Sequence, residues 1–269
     1  MQNNHSKKIG LIISGKYEAL SFLRYISVKK KMKLGKYTSY KFNINKYEVL
    51  AVVSGKQMKK ASDATKILIE EFSPALIISL GCGAAVVPGM RVGDVVYGNL
   101  VTMLEDGVFE QYQVLSSLQP DIHRLVFDIV FGFDARMLVG TIITVNNEQP
   151  ILHHDKLDFS HPVLDLEMLG IAQVTSRLQV PTLALRGITH NLSKEGIRSL
   201  HTILDFTWNY DKKGAIFRLV EKPWLLLQLP SYLKQKIRAS HHIASTTHSI
   251  LQVLSFDYRS NHEHLDYTI

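Results

Sequence analysis

Over roughly the first 200 positions, short aliphatic and β-branched runs alternate with stretches of helical spacing. Lys8–Ser14 (KIGLIIS) reads as a buried strand, followed by a helix from Glu18 to about Ser27. Tyr37–Asn43 and Tyr47–Ser54 read as the two strands of a hairpin around Asn43-Ile44-Asn45. Met58–Phe72 places Ala61, Ala64, Ile67, Leu68 and Phe72 at helical spacing and stops before Pro74. A strand over Ala75–Leu80 then runs into a loop of small residues, Gly81 to Ala85, and a turn at Pro88-Gly89. A strand from Asp94 to about Leu104, a turn at Asp106-Gly107, a helix over Pro120–Phe131 and a strand over Leu138–Val145 follow. The most regular helical pattern is Val163–Leu178, with Leu166, Leu169, Ala172, Gln173 and Ser176 along its turns; Pro181 closes it, and Thr182–Ile188 is the next buried strand. Such alternation predicts an α/β fold with a mainly parallel or mixed sheet and helices on its faces. The character changes beyond about Ser193: from Lys212 onward the pattern predicts only helices, separated at Pro223 and Pro230, ahead of a polar tail over Asp257–Ile269.

Composition narrows the setting. A chain of 269 residues can hold one α/β domain with a full core, plus a tail. One cysteine, Cys82, excludes an intramolecular disulfide framework and fits a reducing compartment. No run approaches bilayer-spanning length and MQNNHSKK lacks a signal-peptide core, so a cytoplasmic protein is expected. The net charge of +7 is clustered at Lys29–Lys36, at Lys56–Lys60 and from Lys212 to Arg238. No nucleic-acid fold signature accompanies these clusters, so a solvated face is the simpler reading and no nucleic-acid partner is expected.

The run Ala75–Val96, ALIISLGCGAAVVPGMRVGDVV, carries the first chemical signal. A parallel strand ending in glycines offers a floor that a ligand can approach closely. Gly81 and Gly83 alone are a weak sign, but the whole string resembles the ribose-binding segment of the nucleoside phosphorylase/nucleosidase superfamily, which includes methylthioadenosine/S-adenosylhomocysteine nucleosidases. A second segment, HPVLDLEMLGIAQVTSRLQVPTLALRGIT, resembles the superfamily's acidic–apolar–Glu triplet, followed by Val-Pro and a strand ending in arginine. The resemblance extends over residues 7–200. It implies a three-layer α/β/α nucleoside phosphorylase-type fold with a central mixed sheet, followed by a helical basic C-terminal extension over 201–269.

Residue by residue, the resemblance implies the following. Glu18, after IGLIISGKY, matches the glutamate that orients an attacking water, although a first-turn glutamate is also favoured by the helix dipole. Gly81, Cys82 and Gly83 match the ribose-side loop. Glu167 matches the glutamate that bridges the ribose hydroxyls, a task suited to a carboxylate because it accepts from both oxygens of a diol. Leu166 stands where a methionine often packs on the sugar. Arg186 matches the strand-end arginine. Four residues on, where the superfamily has an aspartate that protonates N7 of the base, this chain has His190, with Asn191 beside it. A histidine can donate that proton near neutral pH; the alternative is a site that has lost its acid.

The base-side segment GTIITVNNEQ departs from the superfamily's Ser-Gly-Asp, placing Asn146 there, and Gln149 replaces the usual stacking aromatic. Where phosphorylases hold phosphate with an arginine before this loop and a serine within it, this chain has Ser79 and Cys82, neither a phosphate clamp, which favours hydrolysis.

The resulting expectation is cleavage of an N-ribosidic bond in a nucleoside-like small molecule, with hydrolysis favoured over phosphorolysis. No metal and no organic cofactor are implied, and a homo-oligomer is implied by analogy. Two alternatives remain: an inactive nucleoside-binding protein of the same fold, and an enzyme peripheral to the inner membrane face that acts on a lipid-linked nucleoside. The second follows from a resemblance to hopanoid-associated nucleoside phosphorylases. It would use Trp224–Ile237 (WLLLQLPSYLKQKI), where apolar residues adjoin cations as in an interfacial helix.

Overall fold

In the computed structural model the described residues are 7–27, 29–105, 108–115, 136–145, 158–192, 203–207 and 212–254. The centre of the molecule is β1 (Lys7–Ile13), sealed on both faces and flanked by two parallel partners, β4 (Tyr47–Val53) and β5 (Leu76–Ala85). A continuous aliphatic run suits such a strand, since neither face meets water. Gly10 is fixed by packing: a Cβ there would lie 2.6 Å from Ile77 and 2.8 Å from Leu68.

Outward from β4 the sheet continues through β3 (Tyr37–Ile44) to the edge strand β2 (Lys30–Leu34), both pairings antiparallel. β2 is missing from the sequence reading because KKMKL looks like a charge cluster. Lysines on an edge strand block further strand addition, so the pattern that hid the strand is also what protects it.

On its other side β5 bonds to β10 (Thr182–Asn191) in parallel, and its last residues, Ala84 and Ala85, also bond to β9 (Val163–Asp165). β10 pairs with β6 (Val95–Glu105), β6 with β8 (Met137–Val145), and β8 with β9. The strands β5–β10–β6–β8–β9 therefore form a closed ring, with β7 (Val108–Val114) attached to β6.

Helices cover both faces. On one, α2 (Met58–Phe72) and α3 (Met168–Arg177) press Ala61, Ala64, Leu68, Leu169 and Ala172 onto Ile12, Val52 and Ile77. On the other, α1 (Lys16–Leu23) and the long C-terminal α5 (Leu229–Val253) bury Phe22, Ile243, Ala244, Ile250 and Leu251 against β1, β4 and β5. This is the expected three-layer α/β/α arrangement with a mixed central sheet. Ahead of α5 lie a π-helical turn (Ile203–Thr207), α4 (Lys212–Glu221) and a 3-10 turn (Pro223–Gln228); these pack around a small separate core of Ile203, Ala215, Leu225 and Tyr232.

Four local expectations are corrected. Gly81–Ala85 is not a loop but the second half of β5. The helix read over Val163–Leu178 begins only at Met168, because Val163–Asp165 pairs with β5 and β8 as β9. β10 runs three residues beyond Ile188 and carries His190 and Asn191 within the strand. Pro230 starts α5 instead of separating two helices: it lies in the first turn, where its missing N–H costs nothing. The predicted turn at Asp106-Gly107, the helix over Pro120–Phe131 and the tail over Asp257–Ile269 fall outside the described residues.

Candidate active site

Four chain segments meet where the parallel strands of the sheet end. Lys56 follows β4, Cys82, Gly83 and Ala84 close β5, Leu164 and Asp165 end β9, Leu166 and Glu167 lead into α3, and Thr189 and His190 lie near the end of β10. With Asp205 from the π-helical turn they line one cavity. A crevice at the carboxyl ends of parallel strands is the general ligand position in α/β sheets.

The glycines of β5 serve the strands around them. A Cβ on Gly81 would collide with the Ser14 hydroxyl, and one on Gly83 would overlap Val163 and approach the Leu164 carbonyl to 2.7 Å. Gly83 thus lets β9 cross close to β5 and bring Glu167 to the cavity, while Gly81 lies beneath Ser14 and Arg186.

A pleated strand sends neighbouring side chains to opposite faces, yet Thr189 and His190 both face the cavity. The register between β10 and β5 slips between Ile188 and His190, and this bulge turns both residues inward. The Thr189 hydroxyl lies 3.1 Å from the Gly83 carbonyl oxygen and 2.9 Å from His190 Nδ1. A carbonyl can only accept, so the hydroxyl proton goes to Gly83, and Nδ1–H donates to Thr189 Oγ1. Neutral His190 then carries its proton on Nδ1, and Nε2 becomes a donor only in the imidazolium.

The two carboxylates of the expected triplet have separate work. Asp165 takes Arg186 Nε at 2.9 Å and Nη2 at 2.7 Å on one oxygen, which also accepts the Met168 N–H at 2.9 Å; its other oxygen accepts the Thr144 hydroxyl at 2.7 Å. Arg186 completes its set with Ser79 Oγ at 3.2 Å and the Leu185 carbonyl at 2.8 Å. Both side chains of this ion pair are fully buried. Arg186 therefore holds Asp165 and the start of α3 in place and does not line the cavity.

Glu167, 2 % exposed, has an oxygen, Oε2, with no hydrogen-bond partner among the described residues. Burial, then the charge of Asp165, push its carboxyl up to about 8 against the pull of Arg186. Glu18 is 1 % exposed with Oε1 likewise unpartnered, and its charge acts on Cys82, Glu167 and Lys236. It is not itself among the lining side chains. Buried carboxylate oxygens without partners are costly; two of them beside one cavity mark a place where a ligand supplies the missing donors.

Cys82 Sγ lies 3.6 Å from Ser240 Oγ of α5. Burial, reinforced by Glu18, pushes the thiol well above its ordinary range, which disfavours a nucleophilic thiolate. Asn191 spends its amide on the Val87 and Met90 carbonyls at 2.9 and 3.2 Å and is not among the lining side chains. Asn146 and Gln149 fall outside the described residues.

One wall of the cavity is absent from the sequence reading. Asp205 Oδ1 accepts Lys236 Nζ at 2.6 Å, Lys56 Nζ at 2.8 Å and the Tyr232 hydroxyl at 3.1 Å. Burial opposes the charge, but Lys236, Lys56 and His190 hold the Asp205 carboxyl well below the usual carboxylate range. Lys236 is almost fully buried; burial disfavours its charge, and Asp205 and Tyr232 hold the ammonium well above the usual lysine range. Lys56 could have been noticed just after a strand at the carboxyl edge of the sheet, whereas Asp205, 149 residues away, carries no local signal. Among the described residues no group of three or more His, Cys, Asp or Glu is placed to hold a metal ion.

A family model described as the phosphorylase superfamily matches residues 8–218. The chain belongs to that superfamily. Similar relatives of this phosphorylase-superfamily chain include two 5'-methylthioadenosine/S-adenosylhomocysteine nucleosidases. The one from Maridesulfovibrio salexigens is 21% identical over 208 residues, covering 72% of this chain and 90% of the relative. The one from Oceanobacillus iheyensis is 25% identical over 198 residues, covering 68% and 85%. Among solved structures, the Neisseria meningitidis nucleosidase of that name, in complex with methylthio-immucillin-A, superposes with a TM-score of 0.66 at 16% identity over 92% of this chain and 100% of that one. A futalosine hydrolase mutant of Helicobacter pylori gives 0.68 at 15% identity, over 92% and 100%. At these identities the structural likeness speaks for the fold; superfamily membership rests on the family match.

Proposed function

We propose that this protein cleaves the N-ribosidic bond of a nucleoside or nucleoside-like compound, with water as the nucleophile. The observation that carries the reading is the buried, unpartnered carboxylate oxygen of Glu167 in a cavity also lined by His190, with a second such oxygen on Glu18 close enough for its charge to act on Glu167. In this reading Glu167 accepts both ribose hydroxyls, which supply the hydrogen bonds its carboxylate lacks. Glu18 orients the attacking water beside Cys82. His190, as the imidazolium, donates the Nε2 proton to the leaving base while positive charge develops on the sugar.

Hydrolysis is favoured over phosphorolysis because the cations at hand are already engaged. Arg186 is consumed by Asp165, and Lys56 and Lys236 share one oxygen of Asp205. An incoming phosphate dianion would also face Glu18 and Glu167.

Purified protein incubated with adenosine, inosine, methylthioadenosine and S-adenosylhomocysteine, with and without phosphate, tests the reading. Free base should appear without phosphate and disappear in E167A and H190N. Binding of these compounds without base release would instead favour a nucleoside-binding protein that has lost its acid, the reading motivated by histidine in place of the superfamily's aspartate.

A further inference from the structure

The surface ahead of α5 is unlike the rest of the molecule. Eight of the twelve exposed large hydrophobic side chains among the described residues fall within positions 216–237. The most exposed are Leu227 at 82%, Val220 at 72%, Phe217 at 64% and Trp224 at 57%. On α4, Ile216, Phe217 and Val220 share the arc opposite Ala215, the residue this helix buries. The 3-10 turn sends Leu225 into the small core of Ile203, Ala215 and Tyr232 and leaves Trp224, Leu226 and Leu227 outside.

The same segment is rich in cations. Lys212, Lys213, Lys234 and Arg238 are exposed and Arg218 and Lys222 half-buried, while the segment 212–238 contains one acid, Glu221. Lys236 is spent on Asp205 and does not count.

We propose that this face docks on the surface of an anionic bilayer. Exposed apolar and aromatic side chains interspersed along the segment with lysine and arginine match an acyl boundary beneath negative headgroups, and tryptophan suits the interface because its ring is apolar and its N–H is polar. A second copy of the chain fits less well: a two-fold contact presents the same patch from both subunits and would set these cations against one another. Among the described residues no helix is long and apolar enough to cross a membrane, so the face lies on the bilayer and does not enter through it. The small core beneath the face also holds the π-helical turn that carries Asp205. The proposal does not depend on the cleavage reading, since docking needs no turnover.

The test is co-sedimentation of the full-length chain with vesicles of phosphatidylcholine alone, or of phosphatidylcholine mixed with phosphatidylglycerol, at low and high salt. Binding to the mixed vesicles only, released by salt, is expected. The double variants F217S/L227S and K212E/K213E should each weaken partitioning about tenfold or more. Both change exposed side chains, and unchanged thermal melting in the absence of lipid would show that the fold is intact. Vesicle binding should also shift tryptophan emission to the blue in the wild-type chain and far less in W224F. Absence of binding to the mixed vesicles would overturn the proposal, as would equal binding to neutral ones. A lipid-free dimer dissolved by F217S/L227S, without vesicle binding, would assign the face to a second copy.

Discussion

Replacing Glu167 by glutamine keeps the side chain's shape and removes its charge, which makes the cost of that charge measurable. The Glu167 carboxyl is raised from 4.5 to about 8 by burial and by Asp165. A carboxyl whose folded pKa lies above its unfolded value stabilises the fold while protonated, and that stability is lost as pH rises between the two values. The loss amounts to about 3 kcal/mol at pH 7 and about 5 kcal/mol at pH 9, where it levels off. E167Q lacks this dependence. The difference in melting temperature between E167Q and wild type, measured without ligand from about pH 5 to pH 9, should therefore grow steadily with pH. At the scale expected for a chain of this size it should reach about 5–10 °C near pH 7. A nucleoside whose hydroxyls donate to the carboxylate favours the ionised form, so binding near pH 7 should release a proton, detectable by calorimetry in buffers of different ionisation enthalpy. A difference that stays flat between pH 5 and 8, or that runs the other way, would refute the reasoning, because it would mean that Glu167 is already ionised and partnered.

Breaking the Arg186–Asp165 pair from one side, with D165A or R186M, should cost about 3–5 kcal/mol in urea unfolding, and the double variant should cost less than the two singles combined. Cys82 should react with a disulfide reagent at mildly alkaline pH far more slowly than the same thiol in the unfolded chain, and C82S should retain base release. G83A should destabilise the chain by about 1–3 kcal/mol, because the new methyl meets Val163 and the Leu164 backbone; an unchanged urea midpoint would show that β9 does not pack as closely as described.

The pattern of apolar residues was enough for the layers and for most strands, because β1, β4, β5, β8 and β10 are buried enough to need aliphatic runs. It misled where the same run suits two structures. VLDLEML has helical spacing, but its first three residues find partners in β5 and β8, and only tertiary pairing decides between strand and helix. The candidate residues Glu18, Cys82, Glu167 and His190 could be named one at a time from the sequence. What local sequence could not convey is how they meet: the bulge at Thr189 that turns two successive side chains inward, the use of Arg186 by Asp165, and the junction of Lys56 with Asp205 across 149 residues. These depend on contacts between segments that have no sequence proximity.

The ring β5–β10–β6–β8–β9 divides the cavity wall into two kinds of material. Cys82, Gly83, Thr189 and His190 belong to β5 and β10, which pair with each other there around the bulge at Thr189, and Glu167 follows β9 of the same ring. Lys56 and Asp205 come from outside it: from the residues after β4 and from a turn carried by the small C-terminal core. Adjustment to ligands of different size is therefore expected on that second side, in helices and turns, while the ring side keeps its geometry.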